Sequence, residues 1–179
     1  MIIWICASAT RCFLNSSDKD MKVISFTNAQ TELGFFEKAV SVARNSTCLR
    51  SQCGTVIVKN GEIIGEGFNS SPGGREDVRR CLTKNEVSPR FKSDRTCCVH
   101  AEQRAIIDAF KKNPNKLDSS RLYFIRLDKN GTKQFSGEPY CTICSKMALD
   151  SNIAEFALYR EEGVCIWDTF EYNQESYRY

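Results

Sequence analysis

Val99-His100-Ala101-Glu102-Gln103 and, some forty residues on, Pro139-Tyr140-Cys141-Thr142-Ile143-Cys144 decide how this chain is read. His100 is the only histidine. One imidazole, two thiols and a carboxylate at this spacing form the donor set of a zinc site with an open position, since catalytic zinc keeps three protein ligands and structural zinc four. Cys141 and Cys144 stand three apart, so on a helix they share a face and chelate together. A helix starting near Tyr140 adds its unpaired N–H groups and positive dipole end, which favour the thiolates that zinc requires. His100 and Glu102, two apart, would point to opposite sides of a helix interior. His100 is therefore placed where the chain enters a helix, so that both side chains reach one centre. The expected ligands are His100, Cys141 and Cys144. Glu102 is the expected catalytic group, carrying protons between an activated water and a leaving amine.

Taken singly, each motif has a plainer reading. A His-x-Glu triplet recurs by chance, and a Cys-x-x-Cys is also a redox pair or half of a structural zinc site. Any serine or cysteine hydrolase here would have to use His100, and no Gly-x-Ser-x-Gly elbow accompanies it. The combination is what points to a hydrolytic zinc centre.

Working outward, Leu33, Phe36, Val40 and Ala43 recur at helical spacing, with Thr31 as the expected N-cap. Val56-Ile57-Val58 and Ile63-Ile64 flank Asn60-Gly61, a strong signal for an antiparallel hairpin. Residues 73–98 are polar and aperiodic and are read as a long loop or insertion. A helix is predicted from about His100 to Lys112, apolar at Ala101, Ala105, Ile106 and Ala109, and Pro114 follows its end. Leu122-Tyr123-Phe124-Ile125 is a buried strand, Asp128 to Gly131 a turn, residues 140–150 the cysteine helix and Ile153 to Tyr159 a further strand. Only Glu161-Glu162-Gly163 separates that strand from Val164-Cys165-Ile166-Trp167, too short for a parallel crossover, so this last strand is antiparallel. The expected fold is α/β, with both metal-binding helices over one face of a mixed sheet.

The two motifs resemble the His-x-Glu and Pro-Cys-x-x-Cys signature of the zinc nucleobase deaminases, with the departure that Tyr140 stands between Pro139 and Cys141. Asn45 to Arg50 and the stretch from Cys53 to Pro72 are similar to the opening of a deoxycytidylate-deaminase-like domain, so the likeness runs over roughly residues 33–160. It implies a cytidine-deaminase-like three-layer α/β/α fold with a mixed sheet of about five strands. It also implies Zn2+ as cofactor and hydrolysis of a cytosine base to uracil and ammonia. Asn69 matches the asparagine that contacts the sugar in such enzymes, backbone N–H groups near Ala101 and Cys141 can receive the base oxygen, and Tyr140 joins the base pocket. Relatives of this type are commonly oligomers, so a homo-oligomer is expected. Nucleotide-acting relatives usually have a parallel fifth strand, whereas free-cytidine deaminases have the hairpin form read here. The two ends of the chain thus point to different subgroups.

The expected substrate is a small cytosine nucleoside or nucleotide. Arg75, Arg79 and Arg80 can bind a 5′-phosphate or form a solvated charged loop. A rival reading has the enzyme act on cytosine or adenine in single-stranded nucleic acid, held by Arg90-Phe91-Lys92, Arg95 and the aromatic tail Trp167, Phe170, Tyr172, Tyr177 and Tyr179. These aromatics are equally core or interface residues. A formal net charge of +3 gives no bulk electrostatic argument for a polyanionic partner. A zinc-stabilised binding domain without chemistry is the third class, and Glu102 speaks against it.

Residues 1–28 are expected to be a poorly ordered extension and 29–179 a single deaminase domain. The apolar run Met1 to Ala9 lacks a preceding basic residue and is too short to span a bilayer, so no membrane association and a reducing, cytoplasmic setting are expected. Of the ten cysteines, Cys48, Cys81, Cys97 and Cys98 either pack as small apolar residues or form the second, structural zinc site that some relatives carry.

Overall fold

A computed structural model describes residues 21–79, 97–128 and 130–178. Among the described residues seven strands form one sheet: β1 (Lys22–Ile24), β2 (Gln52–Lys59), β3 (Glu62–Phe68), β4 (Arg121–Leu127), β5 (Lys133–Gln134), β6 (Glu155–Arg160) and β7 (Gly163–Asp168). Their order is β1-β7-β6-β4-β2-β3, with β5 paired to β4. Only β4 and β6 run parallel, joined through helix α3 (Thr142–Asp150); the other pairings are antiparallel.

Side-chain alternation divides two cores. Val56, Val58, Tyr123, Ile125, Ala157, Val164 and Ile166 meet helix α1 (Gln30–Ala43) on one face. Ile57, Leu122, Phe124, Phe156, Leu158 and Trp167 meet helices α2 (Ala101–Lys112), α3 and α4 (Thr169–Ser176) on the other. The three-layer α/β/α architecture holds, and both motif helices lie on one face as the sequence implies.

The Asn60-Gly61 turn joins β2 to β3, with both residues at positive φ (50° and 79°), the conformation a tight hairpin demands. The α2–β3 contact depends on missing side chains. A Cβ at Gly67 would sit 2.2 Å from the Ala101 carbonyl oxygen, and one at Gly65 would sit 2.5 Å from that of Ala105. Ala101, Ala105 and Ala109 form a small-residue stripe that lets the helix backbone lie directly on the strand.

Several elements differ from expectation. The first helix begins at Gln30 behind Ala29, with no side-chain cap, so Thr31 lies inside it. The sheet gains β5, and β1 comes from the segment read as an extension: Lys22–Ile24 pairs with Val164–Ile166 along the open edge of β7. Helix α4 follows β7 without a break, its first turn fixed where Asp168 Oδ1 accepts the Phe170 N–H at 2.9 Å. The predicted antiparallel last strand is present, Leu158 facing Cys165. In the long loop, 72–74 and 76–78 form short 3-10 turns, and Ser70 bridges Val99 at its base. Residues 1–20 lie outside the described residues, and so do Arg80, Cys81, Arg90-Phe91-Lys92, Arg95 and Tyr179.

Candidate metal centre and active site

Two helix starts build the site. His100 is the N-cap of α2, with extended backbone (φ −69°, ψ 154°), and Gln103 Oε1 accepts its N–H at 3.0 Å. Because His100 precedes the first helical turn, its ring and the Glu102 side chain converge. Cys141 is the N-cap of α3, where its Sγ accepts the Cys144 N–H at 3.4 Å. His100 Nδ1 lies 3.2 Å from Cys144 Sγ and 3.4 Å from Cys141 Sγ. All three ligand atoms fall within 4.8 Å of one another.

This donor set fits zinc. Zn–S bonds of about 2.3 Å and Zn–N bonds of about 2.0–2.1 Å at tetrahedral angles place nitrogen and sulfur roughly 3.6 Å apart. The observed spacings need to open by only a few tenths of an ångström.

Electrostatics differentiate the groups. A hydrogen bond from Cys144, then the His100 ring, pulls the Cys141 thiol down to about 4, against the burial that opposes it. Burial pushes Cys144 well up. Glu102, 5 % exposed, is pushed up first by burial and then by the charge of Cys141, and it is in hydrogen-bonding contact with Cys144. A carboxyl raised towards neutrality beside a metal-binding group is suited to giving and taking protons.

The other expected site residues are placed less simply. Ala101 is buried at the first position of α2, where a helix N–H has no intrahelical partner. Asn69 is engaged by the protein itself. Its Oδ1 takes the Cys53 N–H at 2.8 Å and lies 2.6 Å from Ser46 Oγ, and its Nδ2 donates to Ser51 O at 2.9 Å. It pins the 46–53 segment to the end of β3 and has only its second Nδ2 N–H to offer a ligand. Tyr140 turns its hydroxyl to Arg126, whose Nη2 donates to it at 2.8 Å.

Of the two alternative anion sites, Arg80, Arg90, Phe91, Lys92 and Arg95 lie outside the described residues. Arg75 pairs with Asp77, and Arg79 with Glu76 of its own loop. In the tail, Trp167 and Tyr172 are buried (3 % and 2 % exposed), with Tyr172 stacked on Phe156 at 3.9 Å between ring centroids, so they are core and not a base-stacking surface; Phe170 and Tyr177 are exposed. Cys48 and Cys98 are in hydrogen-bonding contact, as are Cys98 and Cys97, and no disulfide forms among the described cysteines.

Sequence reading passed over Arg126, Cys53 and the place of Tyr172. Cys53 and Arg126 are directly paired across β2 and β4, and the charge of Glu102 acts on Cys53, Tyr140 and Tyr172 alike. The available signal was an arginine within the apolar strand Tyr123-Phe124-Ile125-Arg126-Leu127, at the end that leads to the metal helix.

The family model described as the cytidine and deoxycytidylate deaminase zinc-binding region matches residues 29–160. The chain belongs to this family, and among the described residues His100, Cys141 and Cys144 form a group that could hold zinc. It is 28 % identical to the deoxycytidylate deaminase of Mycobacterium phage D29 over 135 residues, covering 72 % of this chain and 93 % of that protein. To the deoxycytidylate deaminase of Schizosaccharomyces pombe it is 33 % identical over 78 residues, 42 % of this chain but 24 % of the relative, so it spans about a quarter of that protein's length. A crystal structure of cytidine deaminase from Burkholderia pseudomallei shares the fold, with a TM-score of 0.50 at 13 % identity over 78 % of this chain and 94 % of that one.

Proposed function

We propose that this chain deaminates the cytosine base of a free nucleoside or nucleotide, of the cytidine and deoxycytidylate type, giving the uracil product and ammonia. The observation that carries this reading is the convergence of His100, Cys141 and Cys144 with the buried Glu102 in contact with Cys144. The names of the sequence relatives support it.

Bound zinc supplies Lewis acidity that lowers the pKa of water from 15.7 towards about 7. The chain's own groups do the rest. Glu102 takes one proton of the attacking water and delivers it to ring N3 as oxygen bonds to C4; it then takes the remaining proton from the new C4 hydroxyl and passes it to the amine as the C4–N bond breaks, leaving a C4 carbonyl and ammonia. The Ala101 N–H receives the pyrimidine oxygen, the second Nδ2 N–H of Asn69 holds the sugar, and the buried wall behind Glu102 excludes bulk water. Single-stranded nucleic acid is not favoured, because Trp167 and Tyr172 are core residues.

The setting proposed is the cytoplasm; among the described residues no helix is long and apolar enough to cross a membrane. Self-association is proposed as well, supported by Ile107 and Phe110, which α2 leaves 41 % and 48 % exposed beside the edge strand β3.

The test is ammonia release by the zinc-loaded protein from cytidine, deoxycytidine and their monophosphates. Turnover of at least one is expected. No release from any of them would overturn the reading.

A further inference from the structure

Arg126 is a cation in an unusual place. It sits at the carboxyl end of β4, on the same sheet face as Leu122 and Phe124, and this face carries α2, α3 and the metal centre. It is half-buried, and its Nε is shielded from solvent without a hydrogen-bond partner among the described residues. The two other arginines of the central strands are matched by carboxylates: Arg121 by Glu32 and Glu155, Arg160 by Glu138 and Glu162. Among the described residues no carboxylate pairs with Arg126. Its neighbours are the Tyr140 hydroxyl at 2.8 Å, the Tyr140 ring 5.8 Å from Cζ, and Cys53 across the ladder.

Taking a charge out of water is costly unless a counter-charge meets it. A guanidinium braced by a tyrosine immediately before the ligand Cys141, with no acid among the described residues to neutralise it, is therefore arranged to meet an anion brought by the substrate. A cytosine nucleoside is uncharged, and the phosphate is the one anionic group of its nucleotide. The planar guanidinium fork suits phosphate oxygens.

We propose that Arg126, held by the Tyr140 hydroxyl, takes the phosphate of a cytosine nucleotide and so makes the nucleotide, not the free nucleoside, the substrate of this site. The inference rests on the deaminase reading above and deepens it. It also assigns a role to the inserted Tyr140: the residue braces the arginine and does not itself contact the base.

The test compares kcat/KM for deoxycytidine and its 5′-monophosphate in zinc-loaded wild type, Arg126→Gln and Arg126→Lys, with zinc content and thermal unfolding as folding controls. Wild type is expected to prefer the nucleotide. Arg126→Gln should lose roughly 10- to 100-fold on the nucleotide, the scale of a hydrogen bond to a charged group, mostly in KM, while staying within about threefold on the nucleoside. Arg126→Lys should fall between the two. An equal fall on both substrates, or a wild type without preference for the nucleotide, overturns the proposal while deamination itself stands. Should both variants fail to fold, product binding to wild type decides. The uracil nucleotide should bind more tightly than its nucleoside, and inorganic phosphate should compete with the nucleotide alone; equal binding overturns the proposal. Absence of ammonia from every substrate would instead remove the deaminase reading.

Discussion

The two cysteines of the metal centre sit three residues apart yet hold their protons very differently. Cys141 is pulled down to about 4 by the hydrogen bond from Cys144 and by His100, while burial holds Cys144 up as a thiol. At neutral pH the metal-free pair thus retains one proton, and zinc requires both sulfurs as thiolates. Zinc uptake at pH 7 should release about one proton from this pair, readable by calorimetry in buffers of different ionisation enthalpy; uptake without proton release would contradict the assignment. The residues of this centre were legible in the sequence because each half is local: a His-x-Glu at one helix start and a Cys-x-x-Cys at another. Arg126 was not, because its neighbours are Cys53 and Tyr140, and only the register of β2 against β4 brings the three together. Asn69 was legible as a special residue, but its engagement with Ser46, Ser51 and Cys53 depends on how the 46–53 segment turns back.

Helix α2 carries both His100 and Glu102, and its distance from the sheet is set by glycines. A methyl group at Gly67 would meet the Ala101 backbone oxygen at 2.2 Å and the Ala105 nitrogen at 2.3 Å, contacts that backbone cannot yield without moving the helix. Gly67→Ala is expected to cost about 1–3 kcal/mol, the usual scale of overpacking, and to weaken zinc retention because His100 shifts with the helix. Unchanged unfolding and zinc affinity would show that the contact is slack. The loop before α3 is tied to β6 by a two-pronged bond: Arg160 Nη1 and Nη2 donate to Glu138 Oε2 and Oε1 at 2.7 and 2.6 Å. Arg160 holds the Glu138 carboxyl below its ordinary range. A depressed carboxyl stabilises the fold above its unfolded pKa of about 4.3 and loses that contribution as pH falls through the folded value. Glu138→Gln should therefore cost less than about 1 kcal/mol at pH 7, since the pair is solvent-screened, and the difference from wild type should shrink below pH 4. A difference that persists at pH 3 would mean that the contact is not ionic. The hairpin, α2 and the last antiparallel strand were legible from turn chemistry and periodicity. β5 is two residues long, and α4 is a short helix of mostly polar residues, so neither leaves a periodic signal. α4 is fixed instead by Tyr172 on Phe156 and by Asn173 Nδ2 donating to Ser145 Oγ at 2.8 Å.

Across the whole molecule, an antiparallel β7 of the kind expected of free-cytidine deaminases is combined with sequence likeness to deoxycytidylate deaminases. The two likenesses point to different subgroups, so the proposed choice of the nucleotide rests on Arg126 and not on the strand topology. The same view gives an expectation for nucleic acid. With a net charge of +3 and two of the tail aromatics in the core, short single strands should not compete with free nucleotide even at low salt, where phosphate contacts are strongest. Competition that fades with added salt would restore the polynucleotide reading. All of this depends on a buried carboxylate that moves protons beside a three-ligand metal centre. Its most direct test is ammonia release by Glu102→Gln, compared with wild type at equal zinc content. The expected result is retained fold and zinc with activity lower by at least ~100-fold; activity within a few-fold of wild type would contradict the role given to Glu102.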